Sequence, residues 1–192
     1  MAMSDVAIPQ GRFFSFSLAP TVKAFVGLSF RSMDLSLEPA MHDSVTIANR
    51  FLELAEPEKN ALTPMQLLKL VYIAHGWMLG LYGRPLIRDE VQAWQYGPVI
   101  PVLYNSTRRY KSQPVVGPLP VTNNDKPLDP QEDSTILQVY EIYGRMTGPA
   151  LSRITHKPGS PWAETYAPGK FGVVISNDII EDYYSRLAAV SQ

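Results

Sequence analysis

Apolar residues recur at helical spacing along most of the chain after residue 40, and this periodicity predicts a series of helices. The first predicted helix covers residues 44–56, where Asp43 or Ser44 would cap the start and Pro57 would end it. Its apolar positions share one face: Val45, Ala48, Phe51, Leu52 and Ala55.

The second predicted helix, residues 64–82, carries clear start and stop signals. Thr63 would cap it, a glutamine three residues on completes a capping box, and a glycine follows its last residue. No charged residue follows Lys69 within the helix, so we expect other elements to surround it. Gly76 and Gly80, four residues apart, would let a neighbouring backbone approach closely.

The next stretch, "EVQAWQYGPVIPVLY", contains two prolines three residues apart. Proline lacks an N–H group, but the first turn of a helix does not need that group for an intrahelical hydrogen bond. Pro98 and Pro101 are therefore predicted to open one helix, residues 98–110, after a tight turn at Gly97. Residues 84–94 could form two short extended pieces or an irregular arm.

The second half of the chain is predicted to continue as helices after a long loop. Residues 113–129 are rich in proline, glycine and asparagine, which is typical of a surface loop with room for a short hairpin. A capped helix follows to about residue 146, with these residues facing inward: Ile136, Leu137, Tyr140, Tyr143 and Met146. A short helix at residues 150–155, one more turn from Pro161 and an amphipathic closing helix complete the prediction. The expected fold is mainly α, a compact multi-helix single domain with at most a small β element.

Residues 1–40 show neither a helical nor a strand period. A secretory signal is rejected because Asp5 precedes the first basic residue, Arg12, and Pro20 interrupts the apolar run. We expect residues 1–40 to be a disordered or mis-annotated extension, with translation starting at Met41 and the domain covering residues 41–192.

Composition excludes several classes of function. The formal net charge of -1 and a pI near 6.3 give no overall electrostatic case for binding nucleic acid or an anionic membrane. The absence of cysteine excludes disulfides and thiolate metal sites. The longest uncharged apolar run, residues 70–82, is shorter than the ~20 residues that span a membrane. We expect a soluble cytoplasmic protein.

No catalytic or metal-binding pattern emerges from the sequence. The three histidines, His42, His75 and His156, are far apart in the chain and lack metal-ligand spacing. His75 is interpreted as a hydrogen-bonded core residue and His156 as a cap on helix carbonyls, and a hydrolase would need one of them in an assembled site. Asp89 and Glu90 are adjacent, so on an extended segment they point to opposite faces. We predict no enzyme activity, no cofactor and no metal.

A basic cluster, Arg108, Arg109 and Lys111, ends the predicted helix 98–110. It could interact favourably with the helix dipole, or it could contact a phosphate or an acidic partner. The interaction with the helix dipole is the preferred interpretation.

Three segments together resemble a known family: "LTPMQLLKLVYIAHGWMLGLYGRPLI", "EVQAWQYGPVIPVLY" and "LSRITHKPGSPW". In this order and spacing they resemble the Panacea (SocA-like) antitoxin domain family, also described as DUF4065 or phage-associated proteins. The resemblance extends from about residue 41 to the C-terminus and leaves residues 1–40 outside.

The resemblance implies a bacterial or phage-encoded antitoxin that neutralises a toxin encoded beside it by direct protein contact. It also implies a second route, in which a proteolytic adaptor delivers the toxin to the ClpXP protease. The family pairs with unrelated toxins, so it does not identify the partner. The alternative is a DNA-binding regulator of its own operon or phage element. The sequence supports it only weakly, because the chain is nearly neutral overall and its one basic patch is the cluster at Arg108–Lys111.

A toxin-binding face would carry aromatic or arginine anchors inside a polar rim. The candidates lie on one continuous segment: Trp94, Tyr96, Tyr104, Arg108, Arg109 and Tyr110. Other residues of the family signature are expected to be structural: Gly97, Pro98, Pro101, His156, Pro161 and Trp162. We expect Trp162 and His156 to pack near the Trp94 segment and so connect the two ends of the domain.

Overall fold

The computed structural model describes residues 41–121 and 126–190, and the predicted N-terminal extension lies outside them. The elements in chain order are α1 (Ser44–Ala55), α2 (Pro64–Tyr82), β1 (Gln92–Trp94), β2 (Gly97–Val99), α3 (Pro101–Thr107), a 3-10 turn (Arg108–Tyr110), α4 (Pro130–Tyr143), α5 (Gly148–Thr155), α6 (Pro161–Thr165) and α7 (Asn177–Val190). The mainly α fold with one small β element is confirmed.

Helix α2 lies at the centre of the fold, as its lack of charge predicts. Fifteen of its 19 residues are buried, because α1, α3, α4, α5, α7 and β2 all contact it. The predicted capping box is present: the Thr63 hydroxyl accepts from the backbone N–H of Gln66, and the Gln66 side chain accepts from the N–H of Thr63 at 3.0 Å. Gly83 ends the helix in the left-handed conformation, with φ of 63°.

Gly76 and Gly80 form the contact surface for α7, which confirms the predicted close approach. A Cβ atom at position 76 would lie 2.2 Å from the ring of Tyr184, and one at position 80 would lie 2.6 Å from the backbone carbonyl carbon of Tyr184. The same tyrosine packs edge-on against Trp77 with ring centroids 5.3 Å apart. Only glycine leaves enough room here for α7 to bury this aromatic pair.

The predicted start of the helix at Pro98 is wrong, because Pro98 lies in β2, where it pairs with Ala93 of β1. The backbone N–H of Ala93 points away from β2 and donates to the carbonyl of Val173 at 2.8 Å. The pair of positions 93 and 98 is therefore a non-hydrogen-bonded pair of the antiparallel ladder, where the missing N–H of proline costs nothing. A two-residue turn joins the strands, and Gly97 follows it with φ of 109°.

Helix α3 begins at Pro101, three residues later than predicted, with Ile100 in the N-cap position. It ends at Thr107, and the chain continues as the 3-10 turn Arg108–Tyr110. The predicted end near residue 110 therefore matches the end of helical structure, and only the start is corrected.

Helix α4 starts as predicted but is shorter, and one of its inward assignments is wrong. The Asp129 carboxylate accepts from the backbone N–H groups of Gln131 and Glu132 at 2.8 and 3.0 Å. The helix ends at Tyr143 instead of Met146. Leu137, predicted to face inward, is 39% exposed. The described residues of the preceding loop contain no strand, so they do not form the hairpin for which the sequence left room.

Within the described residues, no helix is long and apolar enough to cross a membrane.

Candidate partner-binding site

A cavity of about 950 Å³ opens between the start of α2, the β1–β2 hairpin, α3 and the segment before α7. Its larger apolar and aromatic walls come from Met65, Trp94, Tyr96, Tyr104, Tyr166 and Phe171. The hairpin holds its position because β1 pairs with β2 on one side and contacts residues 173–175 on the other. The sheet, although small, therefore joins the hairpin to the distant segment that precedes α7.

Aromatic rings at the cavity pack on one another but remain open to solvent. The Trp94 ring lies 5.1 Å from the Tyr104 ring in an edge-on arrangement and 5.1 Å from the tilted Phe171 ring. Tyr96 at the hairpin tip is 70% exposed, and Phe171 is 83% exposed. Large apolar side chains with this exposure, clustered at one opening, are typical of binding surfaces.

The charged residues that line the cavity are all basic. They are Lys69, Arg108, Lys111 and Lys170, and no aspartate or glutamate is among the described lining residues. Since the whole chain carries a formal charge of -1, this arrangement concentrates positive potential in one place.

Lys69 is buried beneath the hairpin, with 2% of its surface exposed. Its Nζ donates to the carbonyl of Pro98 at 2.9 Å, and burial lowers the pKa of this lysine to about 7. A Cβ atom at position 97 would lie 2.5 Å from Nζ, so Gly97 is needed for space as well as for its positive φ. The ammonium group is thus held directly under the turn of the hairpin.

Three side chains from three helices hold the hairpin, and all of them donate to its backbone carbonyl groups. Nε1 of Trp162 on α6 donates to the carbonyl of Trp94 at 2.7 Å. The Ser152 hydroxyl on α5 donates to the carbonyl of Tyr96 at 3.0 Å, and Lys69 on α2 reaches Pro98. These donors therefore bind the carbonyl groups of alternate hairpin residues, at positions 94, 96 and 98.

Residues 67–163 match the family model described as antitoxin SocA-like, Panacea domain. The chain belongs to this family. The matched range includes the hairpin and the residues that hold it, Ser152 and Trp162. The resemblance stated from the sequence is thereby confirmed.

Among curated proteins, the chain is similar to one named Antitoxin SocA from Caulobacter vibrioides (strain NA1000 / CB15N). The two are 29% identical over 164 residues, covering 78% of this chain and 86% of that protein. No solved structure matches the chain.

Trp162 and His156 lie against the Trp94 segment, as the sequence predicts for this Panacea domain. The His156 and Trp162 rings are 3.9 Å apart, and Trp162 stacks on Tyr166 with centroids 4.7 Å apart. His156 occupies the C-cap position of α5, where its backbone N–H, rather than its ring, bonds the carbonyl of Ser152. The predicted capping role is thus corrected: the imidazole packs against the indole.

The neighbouring Ser152 and His156 are not arranged as a nucleophile and its base. His156 Nδ1 lies 3.5 Å from the Ser152 oxygen, but that hydroxyl directs its proton to the Tyr96 carbonyl. His156 Nε2 is buried and has no hydrogen-bond partner among the described residues. Burial, and then the charge of Lys69, lower the pKa of His156.

His75 is a core residue, as predicted. Its Nε2 bonds Asn177 Oδ1 at 3.0 Å, and its Nδ1 accepts from the backbone N–H of Leu86 at 3.3 Å. Burial lowers its pKa to about 4, so the ring is neutral near pH 7. In the part of the chain that the structure describes, no group of three or more histidine, aspartate or glutamate side chains could hold a metal ion.

The six candidate binding residues of the Panacea domain separate into two groups. Four of them line the cavity: Trp94, Tyr96, Tyr104 and Arg108. The other two do not: Arg109 donates to the Tyr110 hydroxyl at 2.9 Å, and that hydroxyl donates to the carbonyl of Val116 at 2.8 Å. Tyr110 therefore bonds the following loop, and Arg109 bonds Tyr110.

The proline and glycine signature residues occupy positions that fix the backbone. Gly97 begins β2 directly after the turn with a positive φ, and the Pro98 carbonyl accepts from Lys69. Pro101 and Pro161 are the first residues of α3 and α6, where the fixed φ of proline suits the helix start. These positions agree with a structural role for each of them.

Proposed function

We propose that this protein is an antitoxin that neutralises a cognate toxin by direct protein contact, and that the toxin docks on the face around the cavity. Membership of the SocA-like, Panacea-domain family and the similarity to Antitoxin SocA support the antitoxin role. The observation that carries the choice of surface is the clustering of the exposed rings of Tyr96 and Phe171 beside Trp94.

The composition of this face suits protein recognition. Tyrosine, tryptophan and arginine are the residues that most often dominate binding energy at interfaces, and this face combines all three. The hairpin is held by Lys69, Ser152 and Trp162 before any partner arrives. Such preorganisation favours binding because less conformational entropy is lost in the complex. The role is therefore proposed as binding without catalysis.

Neutralisation could end in sequestration of the toxin or in its delivery to the ClpXP protease, and our proposal includes delivery as the second route. The two differ in one measurement, the abundance of the toxin in cells that express this protein. Sequestration leaves the toxin level unchanged. Delivery lowers that level in cells with ClpXP and leaves it unchanged in cells without the protease.

Co-expression with the protein encoded by the adjacent gene tests the proposal. We expect the adjacent product to arrest growth alone and the wild-type protein to restore it. The double variant Tyr96→Ala/Phe171→Ala should fail to restore growth, because it removes both exposed rings. The control Leu137→Ala removes an exposed apolar side chain on α4, away from the cavity lining, and should restore growth fully.

Two outcomes would contradict this proposal. A harmless adjacent product would remove the antitoxin role in this operon. Full rescue by the double variant, at a normal level of folded protein, would show that the toxin docks elsewhere.

A further inference from the structure

We infer that the cavity receives an acidic, apolar segment of the toxin: a large apolar side chain enters between the aromatic walls, and neighbouring carboxylates reach Arg108, Lys111 and Lys170. This inference rests on the proposed antitoxin function and names the chemistry of the partner at that surface. It is carried by the charges of the cavity, by its apolar walls and by its size.

The basic residues at the rim lie together at one opening. They have no ion-pair partner among the described residues, as is also true of Lys59, Lys126, Arg153 and Lys157 elsewhere in the chain. Ion pairs among the described residues engage these arginines: Arg50, Arg84, Arg88, Arg145 and Arg186. No ion pair of the described residues includes Arg108, Lys111 or Lys170, and all three are exposed. Their charges are therefore available to a partner, and their common sign favours an anionic one.

Lys69 lies beneath the hairpin and adds to the positive potential of the three rim residues. It is buried, and its Nζ is already used by the Pro98 carbonyl, so we do not expect it to contact the toxin directly. Because burial lowers its pKa to about 7, Lys69 is charged in only part of the molecules near neutral pH, and that charge acts over a longer range under low-dielectric walls than in water. Carboxylates at the opening are thus attracted mainly by Arg108, Lys111 and Lys170, and also by Lys69 when it is protonated.

The walls require that the occupant also be apolar. Trp94, Tyr104 and Phe171 form a contiguous aromatic surface at the opening, and Met65 lines the cavity from the start of α2. A cavity of about 950 Å³ is large enough for more than one side chain. Burial of a single large apolar side chain contributes roughly 1.5–3 kcal/mol. The apolar side chain of the toxin segment therefore supplies affinity, while the charged rim selects segments that carry carboxylates.

A peptide segment fits these observations better than nucleic acid does. Nucleic acid is bound through many phosphate contacts spread over an extended basic surface. Here three exposed cations stand around one cavity with aromatic walls, in a chain with a net charge of -1. Binding of the gene's own promoter DNA by these cations would therefore overturn the inference.

The experiment uses the full chain, the protein encoded by the adjacent gene and overlapping short peptides from that protein. Fluorescence polarisation would measure peptide affinity for the wild type and for Arg108→Glu/Lys111→Glu/Lys170→Glu. We expect the wild type to select peptides with an acidic, apolar segment and the triple variant to bind them at least about tenfold more weakly at low salt. Raising the salt should bring the two affinities together, because exposed charges are screened.

Arg109→Glu is the matched control. Arg109 is the next residue to Arg108 and is equally charged, but it does not line the cavity. We expect the peptide affinity of this variant to stay within about threefold of the wild type, since an exposed charge outside the contact has a small effect. Replacing the acidic residues of the selected peptide by lysine should weaken binding to the wild type and improve binding to the triple variant.

Circular dichroism and thermal unfolding would establish that the triple variant folds, which we expect because its three positions are exposed. If it does not fold, the single changes Arg108→Gln, Lys111→Gln and Lys170→Gln provide the test, each predicted to reduce the salt dependence of binding.

The outcomes separate the inference from the proposed function. The inference is overturned if the wild type binds the adjacent protein but the triple variant binds it equally well, or if the selected peptides are basic or uncharged. It is also overturned if promoter DNA binds the wild type and the triple variant loses that binding. Failure of the wild type to bind the adjacent protein at all would instead overturn the proposed function.

Discussion

The two parts of α2 face different surroundings and show how the molecule separates stability from recognition. Residues 70–79 are all buried, and a polar residue there, His75, has hydrogen-bond partners at both ring nitrogens. The first turns of the same helix contribute Met65 and Lys69 to an open cavity. One helix thus supplies closely packed side chains at its centre and an incompletely filled surface at its start.

The two regions differ in how many of their side chains already contact other groups of the protein. Around residues 70–79, apolar area is removed from water and the His75 ring is hydrogen-bonded, which is the arrangement that stabilises a fold. At the cavity, Phe171 is 83% exposed, and the basic rim lacks ion-pair partners among the described residues. A surface left in this state stabilises little alone, but it gains from a partner that supplies the missing contacts.

The largest effect is expected from a change in the interior. Gly80→Val would place side-chain atoms against the α7 backbone. Even its Cβ atom would lie 2.6 Å from the carbonyl carbon of Tyr184. We expect the free energy of unfolding to fall by about 3 kcal/mol, because α7 must move away from α2. Urea unfolding followed by circular dichroism measures this. Ala189→Val, an exposed change on α7, should cost less than about 1 kcal/mol, and an equal loss in both variants would contradict the packing argument.

An intermediate effect is expected at the boundary between the two regions, and it depends on pH. The pKa of Lys69 is about 7 in the folded protein and 10.5 when unperturbed, so between these values the unfolded chain binds more protons. Stability should therefore rise with pH in this window, by about 2 kcal/mol between pH 7 and pH 9. Urea unfolding at the two pH values measures the change.

Lys69→Met provides the control for this prediction, because methionine does not titrate. The variant should be nearly insensitive to pH between 7 and 9, although it loses the hydrogen bond to the Pro98 carbonyl. If the variant gains as much stability as the wild type over this range, another group is responsible and the assignment to Lys69 is wrong.

The smallest change in stability is expected beneath the cavity face. Trp162→Phe keeps an aromatic ring on His156 but removes the N–H group that bonds the Trp94 carbonyl at 2.7 Å. We expect a loss of about 1 kcal/mol in thermal or urea unfolding. We also expect a clear loss of toxin binding in pull-downs, since the hairpin would be held less firmly.

Trp94→Phe is the stability control for this variant, because within the part of the chain that the structure describes the Trp94 ring N–H bonds just the Gln92 side chain of its own strand. It should cost less than Trp162→Phe. A Trp162→Phe variant with unchanged stability and unchanged binding would show that the hairpin does not depend on this hydrogen bond.

The helices could be predicted from the sequence where the signals are local. Thr63 and Gln66 form the predicted capping box and Gly83 the predicted left-handed cap, because such motifs depend on residues three or four positions apart. The hairpin could not be predicted in this way. A proline suits a helix start as well as a non-hydrogen-bonded strand position, and the contact between Ala93 and Val173 that decides for the strand joins distant residues.

The residues of the candidate site could likewise be predicted from the sequence only where they lie close together in the chain. Trp94, Tyr96, Tyr104 and Arg108 lie on one segment, and the sequence identifies them together. In the sequence, Lys69 is recognisable only as the last charged residue of an apolar helix. Its burial could not be predicted, because it depends on the hairpin that covers it. Phe171 lies in a loop without periodicity, so no local pattern indicates that its ring packs on Trp94.

The three hydrogen bonds that hold the hairpin all end on main-chain oxygens, at positions 94, 96 and 98. Main-chain carbonyl groups are present whatever the residue, so the support does not depend on the outward side chains at the tip. If the toxin docks here as proposed, substitutions at positions 95 and 96 would change which partner is recognised while these hydrogen bonds stay in place. Evolution of a new specificity would then not require any loss of the fold.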